Sequence, residues 1–395
     1  FVLVGVAAGQ AGNAVWLSFL FAAVGAGLTG VSYARLVRLR PKNAPEFQFV
    51  SMAFGEGWGF LAGWLVLAAG VISAAAVALG FAGYLSHLTG APVLGGALGL
   101  LVISLLVASL GIGESVGLAA SLTVPTVIGL VLIIVIGVPH LGSVDILEMP
   151  FGMAGVMSAA SLVFFAFLGF EGMANLAEEM KNPERDLFRA ILLAIGISTL
   201  CYILVAVAAV NVVGWADLSR ASAPLAVVAG RAFGANADLF VSLVSLAATA
   251  STALLLLLAA SRAMWAMSCA GVLPMTFCVV GKTRRTPWRT IFLAGIFAIM
   301  FVSIGNIEYV AEFTNFSVLL AFAGVNASVI KLFPRAAGDS RLRHIGLNRF
   351  LPGAGILVSL WLAVNTGWQA AVMGGSVLAA GVVVRLMITA SRKTR

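Results

Sequence analysis

Apolar runs bounded by turn residues and charge set the rhythm of this chain. Val15 to Tyr33, Gly57 to Leu85, Val93 to Leu110 and Leu118 to Val138 reach or exceed the ~17–25 predominantly apolar residues that a bilayer-crossing helix needs. Taken together the runs predict a half-span and eleven full ones. Their limits are 1–11, 13–34, 55–86, 92–111, 116–138, 155–175, 187–213, 236–268, 290–307, 309–333, 350–367 and 369–390. The opening "FVLVGVAAGQAG" has no Met and no basic n-region, which argues against a signal peptide. The start of span 1 is expected to lie upstream of Phe1.

Two spans are overlong: Gly55 to Ser86, 32 residues, and Asn236 to Ser268, 33 residues. At 1.5 Å per residue each would measure about 50 Å, well beyond a ~30 Å hydrocarbon core, so both must tilt or project. They are the third and eighth spans. That spacing is what two five-span repeats, 1–138 and 155–333, would give. The first and sixth spans then correspond, and both should be broken helices.

The sixth span carries the visible break. In "FFAFLGFEGMANLAEEMKNPERD", Phe164 to Asp186, a glutamate stands between Phe170 and Gly172 with Gly169 just before. Non-helical backbone at membrane depth is tolerated only where protein or a water-filled cavity satisfies the freed groups. A half-helix ending there offers bare carbonyls to an ammonium, and one beginning there offers bare amides to a carboxylate. A free amino acid carries both groups on one carbon. The carboxylate would take the break of span 1, and the ammonium the carbonyls near Phe165, Ala166 and Leu168. Glu171 admits three roles: a titrating group, a carboxylate paired with a substrate cation, or a protonated strut between spans.

Composition agrees with the pattern. The chain of 395 residues is 61% hydrophobic and 10% charged, against about 25% charged for an ordinary soluble domain. Its net charge of +8 does not indicate nucleic acid, because of where the charges lie. If the N-terminus is cytoplasmic, 21 of the 23 lysines and arginines fall on the cytoplasmic side, leaving Arg220 and Arg231 opposite. This is the positive-inside bias, with the basic loops and the C-terminus facing the cytoplasm of a plasma (inner) membrane. Cys201, Cys269 and Cys278 form no CxxC pair and no even-numbered framework, so neither a disulfide nor a metal site is expected.

With these residues in place, the chain resembles amino-acid permeases of the amino acid–polyamine–organocation superfamily. "FFAFLGFEGMANLAEEMKNPERDLFRAI" is similar to the family's span-6 signature, and "AASRAMWAMSCAGVLP", Ala259 to Pro274, to its end of span 8. "FVLVGVAAGQAG" resembles the family's stretch just after the glycine break of span 1. The resemblance implies an all-α integral membrane protein of the leucine-transporter fold. That fold has an inverted pair of five-helix repeats and two extra spans, here 350–390. It implies Phe165 as an aromatic lid, Leu168 and Gly169 lining the pocket, and Glu171 linking the break to neighbouring spans. Some proton-coupled members carry a lysine in span 5; "VGLAASLTVPTVIGLVLIIVIGV" has none, and Pro125 is expected to kink it.

Ser251 and Thr252 in span 8 stand where sodium-coupled members of the fold place hydroxyls, and membrane helices also use such residues to bond their own carbonyls. Glu178 and Glu179 could form an inner gate with Arg35, Arg262 or another cytoplasmic base, Arg262 being the more interesting partner, or a solvated charge run. "GESVG", Gly113 to Gly117, matches a hydrolase elbow but lies in a short turn between spans, without the strand that motif needs. Asn315 and Asn326 head glycosylation patterns inside span 10, out of reach of the enzyme.

The expectation is a secondary transporter of amino acids, not an enzyme, with substrate at the breaks and no cofactor beyond a coupling proton or sodium ion. Glu171 is read as the only acid at mid-depth, the others lying at span ends and loops. A neutral amino acid is the simplest substrate; a cationic amino acid or polyamine is the runner-up, and a channel or membrane-embedded enzyme the rival classes. The expected partners are the small-molecule substrate and the lipid bilayer.

Overall fold

A computed structural model describes residues 2–39, 44–179, 183–281, 286–333 and 347–393, leaving aside the side chains of 38, 112–116, 175–179, 183–184, 347–348 and 391–393. It is helical, and no β-strand occurs among the described residues. In chain order the helices are α1 Leu3–Ala11, α2 Val15–Leu36, α3 Pro45–Phe54, α4 Glu56–Thr89 and α5 Val93–Leu110. Next come α6 Ile112–Gly137, α7 Gly152–Val163, α8 Pro183–Val213, α9 Trp215–Arg220 and α10 Pro224–Phe233. The last are α11 Ala235–Cys269, α12 Trp288–Val302, α13 Ile307–Leu332, α14 Leu347–Val364 and α15 Gly367–Lys393.

By length and apolarity, 9 segments among the described residues can cross a membrane, with Leu3–Leu36 counted as one. Pro224–Phe233, Trp288–Val302 and Arg349–Val364 are apolar but shorter. The 15 residues of α12 rise only about 22 Å, less than a ~30 Å hydrocarbon core. Pro125 sits inside α6 without ending it, and Gly113–Gly117 lies in that helix's opening turns, so the expected loop is absent there.

Two long helices, α4 with 34 residues and α11 with 35, are introduced in the same way. Each follows a 10-residue helix, α3 or α10, that opens on a proline and closes on a phenylalanine. Proline suits the first helical turn, where its missing N–H costs no hydrogen bond. In both cases a glycine follows, Gly55 at φ +92° or Gly234 at φ +81°, and its N–H closes the short helix at 2.8 Å. Only glycine adopts such a φ without strain, and this lets the chain turn from the short helix into the long one. Neither short helix was expected from the sequence, since each occupies a connection between apolar runs.

Two large apolar cores, with two small clusters beside them, fill the interior of the described residues. One gathers side chains from α1, α2, α7, α8, α10 and the face of α13 that carries Val318, Phe322 and Val325. The other gathers α4, α5, α11, α12 and the Val310–Phe313 end of α13. Lipid-facing apolar residues such as Leu193, Ile197 and Leu200 of α8 remain exposed, as a bilayer-embedded surface requires. The expectation of no disulfide is corrected: Cys269 at the end of α11 is bonded to Cys278, with Cα atoms 4.9 Å apart. A turn through Gly271 and a 3-10 turn at Met275–Phe277 fold the chain back on itself, a proximity that cysteine spacing did not reveal.

Candidate functional site

The α-helical path ends at Val163. Phe164–Phe167 tighten into a 3-10 turn, Leu168 is extended at φ −62° and ψ 142°, and Gly169 swings to φ +115°. The chain then continues as a 3-10 helix over Phe170–Glu179. Nothing lies within 4 Å of where a Cβ on Gly169 or Gly172 would stand. Glycine at 169 is therefore demanded by backbone conformation and not by crowding.

The freed backbone groups find partners on two other elements and within the segment itself. Asn315 of α13, fully buried, donates from Nδ2 to the carbonyls of Ser161 at 2.6 Å and Leu162 at 2.9 Å. Tyr202 of α8 donates its hydroxyl to the Ala166 carbonyl at 2.8 Å, its ring packing between Phe19 and Phe167. Glu171 folds back so that its Oε2 accepts the Gly169 N–H at 2.8 Å. The Phe165 carbonyl receives the Leu168 N–H at 3.2 Å. Each carbonyl engaged once keeps a second lone pair. The Asn315 Oδ1 is buried and without a partner among the described residues. Asn315 and Tyr202 were not among the expected site residues; an amide and a phenol inside apolar spans were the available signals.

Phe165 packs against both apolar cores at their common border. Ala166, Leu168 and Glu171 are half-buried and Gly169 is exposed, so the unwound segment has an open side. The remaining expected residues are dispersed. Ser251 is buried and Thr252 exposed, and both hydroxyls donate to the Ala248 carbonyl, at 2.9 and 2.8 Å. Arg262 is exposed on α11, and the side chains of Glu178 and Glu179 lie outside the described residues.

Two further acids, both at span ends or connections, are buried. Glu312 of α13 is 9% exposed, one helical turn from Glu308, which accepts a hydrogen bond from Gln10 of α1 at 2.6 Å. Glu46 of α3 is 5% exposed and accepts the Tyr33 hydroxyl at 2.8 Å. Burial pushes the Glu46 carboxyl above the usual carboxylate range, against the opposing pull of its own backbone amide and of Tyr33. Both acids were missed because each falls where an apolar run begins or ends, and such a position reads as solvated.

The amino acid permease family model matches residues 1–366. The chain belongs to the amino acid permease family. The permease is 27% identical to a branched-chain amino acid permease of Bacillus subtilis (strain 168) over 395 residues, covering 93% of this chain and 84% of that one. It is 32% identical to an uncharacterized transporter of Mycobacterium bovis over 391 residues, covering 97% and 86%. To the cationic amino acid transporter 4 of Mus musculus it is 31% identical over 367 residues, covering 86% and 58%. Family and helices together make the permease an integral membrane protein.

Around its break the permease sets an aromatic cluster. Tyr33, buried on α2, meets Phe49 of α3, Phe170 and Phe322 of α13 edge-on, with centroids 5.7–6.1 Å apart. Phe322 also touches Phe164 and Phe170, at 6.2 and 5.5 Å. Below the cluster, Asn326 joins α13 to α2: its Oδ1 accepts Ser32 Oγ at 2.6 Å and its Nδ2 donates to Thr29 Oγ1 at 3.1 Å. Movement of the unwound segment must therefore carry α2, α3 and α13 with it, or break these contacts.

Proposed function

We propose that this permease is a secondary carrier of amino acids, working by alternating access, with the substrate headgroup held at the break after α7. The observation that carries this reading is the unwound Phe164–Gly172 segment at the border of the two cores. An opening between cores can face either side of a membrane in turn, whereas a site within one core cannot. The ammonium is offered backbone carbonyls around Phe165, Ala166 and Leu168 together with the spare Asn315 Oδ1. The substrate carboxylate belongs with the N-terminal end of α1. The twin arrangement of α3–α4 and α10–α11 supports the two five-helix repeats, 1–138 and 155–333, of a leucine-transporter-like fold.

A neutral substrate suits Phe165, Ala166, Leu168 and Gly169, which bring no side-chain charge, while Glu171 is engaged with the Gly169 N–H. Glu308 and Glu312 at the start of α13 favour a second reading, a cationic amino acid whose side chain reaches that end. Proton coupling fits better than sodium coupling, since Ser251 is buried and Thr252 exposed, so that the two hydroxyls face different surroundings. Glu178, Glu179 and Arg262 remain the proposed inner gate, on the side of the basic loops, which the charge bias assigns to the cytoplasm of a plasma membrane.

Counterflow in proteoliposomes tests the class. Labelled leucine should enter against unlabelled leucine trapped inside and should fail to enter empty vesicles to the same level; arginine in place of leucine identifies the cationic reading. Conductance without saturable exchange would make the protein a channel and end the proposal.

A further inference from the structure

The two short helices that introduce α4 and α11 differ at one position in a way that packing does not explain. After the opening proline, α10 carries Leu225, fully buried, whose N–H reaches the hydroxyl of the buried Tyr84 at 3.3 Å. At the same place α3 carries Glu46, whose carboxyl reaches the hydroxyl of the buried Tyr33 at 2.8 Å. A leucine evidently suffices to seat such a helix beside a buried tyrosine. A carboxyl there must lose its hydration, which costs several kcal/mol for a charged group and far less for a neutral one.

Among the described residues no lysine or arginine ion-pairs with Glu46. Arg35 on α2 lies two residues beyond Tyr33, about 200° further around the helix. On α13, Lys331 sits over the ring of Phe54 at the far end of α3, with Nζ 4.6 Å from the centroid. On α4, Glu56 stands in the first turn, where its carbonyl accepts Arg385 Nη1 at 2.8 Å. The unwound segment brings another acid, Glu171, next to Phe170, and no cation from that side. Besides its own backbone amide, its polar partner among the described residues is Tyr33, whose ring rests on Phe170 next to Glu171.

We propose that Glu46 is a proton-binding site: its carboxyl is neutral while α3 is seated against Tyr33, and it releases the proton to water when α3 and the unwound segment part. On the orientation given by the basic loops this release is to the cytoplasm, and one proton is carried inward per cycle when the carboxyl is reloaded from the opposite side before α3 reseats. The coupling step rests on the carrier reading above; the proton site itself does not. In the seated state the Tyr33 hydroxyl donates to one carboxyl oxygen while the other bears the proton. On opening, the O–H bond of the carboxyl breaks, the proton passes to water, and the carboxylate is hydrated.

The test has two readouts on the full chain in lipid. Infrared titration of the wild type should show a protonated-carboxyl band persisting above the pH at which ordinary carboxylates ionise, and Glu46→Gln should lack it. Tyr33→Phe, which keeps the ring and removes the donor, should retain the band at a shifted frequency. In proteoliposomes under an inward proton gradient, leucine or arginine should accumulate about tenfold per pH unit if one proton is coupled. In Glu46→Gln that accumulation ratio should fall to one. A band unaltered by Glu46→Gln overturns the proton site, and wild-type accumulation in Glu46→Gln overturns its coupling role. If the band is lost in Glu46→Gln but the wild type shows no counterflow of either amino acid, the site stands and the carrier reading fails.

Discussion

Gly169 and Gly172 look equivalent in the sequence, two glycines flanking Phe170 and Glu171, yet they do different work. Gly169 has φ +115°, where an L side chain is strained by about 1–2 kcal/mol, whereas the structure sets no such demand on Gly172. Gly169→Ala should therefore destabilise the protein by that amount and impair binding, while Gly172→Ala should be near neutral or stabilise by about 0.4–1 kcal/mol. Thermal unfolding of the two variants side by side checks this; equal losses would mean that the two glycines act alike. Asn315 is the second residue of consequence. Its amide satisfies two carbonyls that the break leaves behind, so Asn315→Ala should cost about 1–3 kcal/mol and weaken amino-acid binding as well. Ser317→Ala, a buried hydroxyl that bonds only its own helix at Phe313, is the control and should change little. The break was legible because glycine and an acid interrupt an apolar run. Its partners were not, because the hydrogen bonds from Tyr202 and Asn315 span 36 and 154 residues.

At the scale of elements, apolarity revealed the long helices and missed the short ones. The segments 45–54 and 224–233 lie between long apolar runs and are too short to span, so the hydropathy pattern assigned them to connections. The proline at the start and the glycine after the end were the marks of helices there. Pairing of helices was equally hidden. Gly155 of α7 lies so close to the Gln10 carbonyl of α1 that a Cβ would collide with backbone that cannot rotate aside. The turn that joins α1 to α2 is fixed by further bonds: Asn13 Nδ2 to Glu148 Oε2 at 2.5 Å, the Ala14 N–H to the Glu148 carbonyl at 3.2 Å, and Trp16 Nε1 of α2 to the Ile146 carbonyl at 3.0 Å. Gly155→Ala must push α1 and α7 apart, at a cost of about 1–3 kcal/mol. Because the two helices would hold opposite ends of the substrate headgroup, affinity should fall more than expression does. Gly196→Ala on α8, with open space around it, should leave both unchanged. Equal affinity in the two variants would show that the spacing of α1 and α7 does not matter to binding.

For the whole molecule the question is what holds two cores in one arrangement at a time. The Tyr33 cluster and the seated α3 join α2, α13 and the unwound segment, and a proton site at the buried Glu46 would make that junction sensitive to pH. Its raised native pKa fixes the direction. A carboxyl that binds its proton more tightly in the folded, seated state than in the unfolded chain stabilises that state when protonated. The contribution is complete below the ordinary glutamate value of about 4.3 and is lost as pH rises through the higher native value. The wild type should accordingly lose thermal stability as pH rises across that interval, and Glu46→Gln should lose less, being unable to ionise there. The difference between the two melting curves, taken at a series of pH values in the same detergent, isolates Glu46 from every other titrating group. A difference that stays constant with pH would mean that Glu46 binds its proton no more tightly in the folded protein than in the open chain. A difference that grows with pH ties the seating of one ten-residue helix to the protonation of a single side chain.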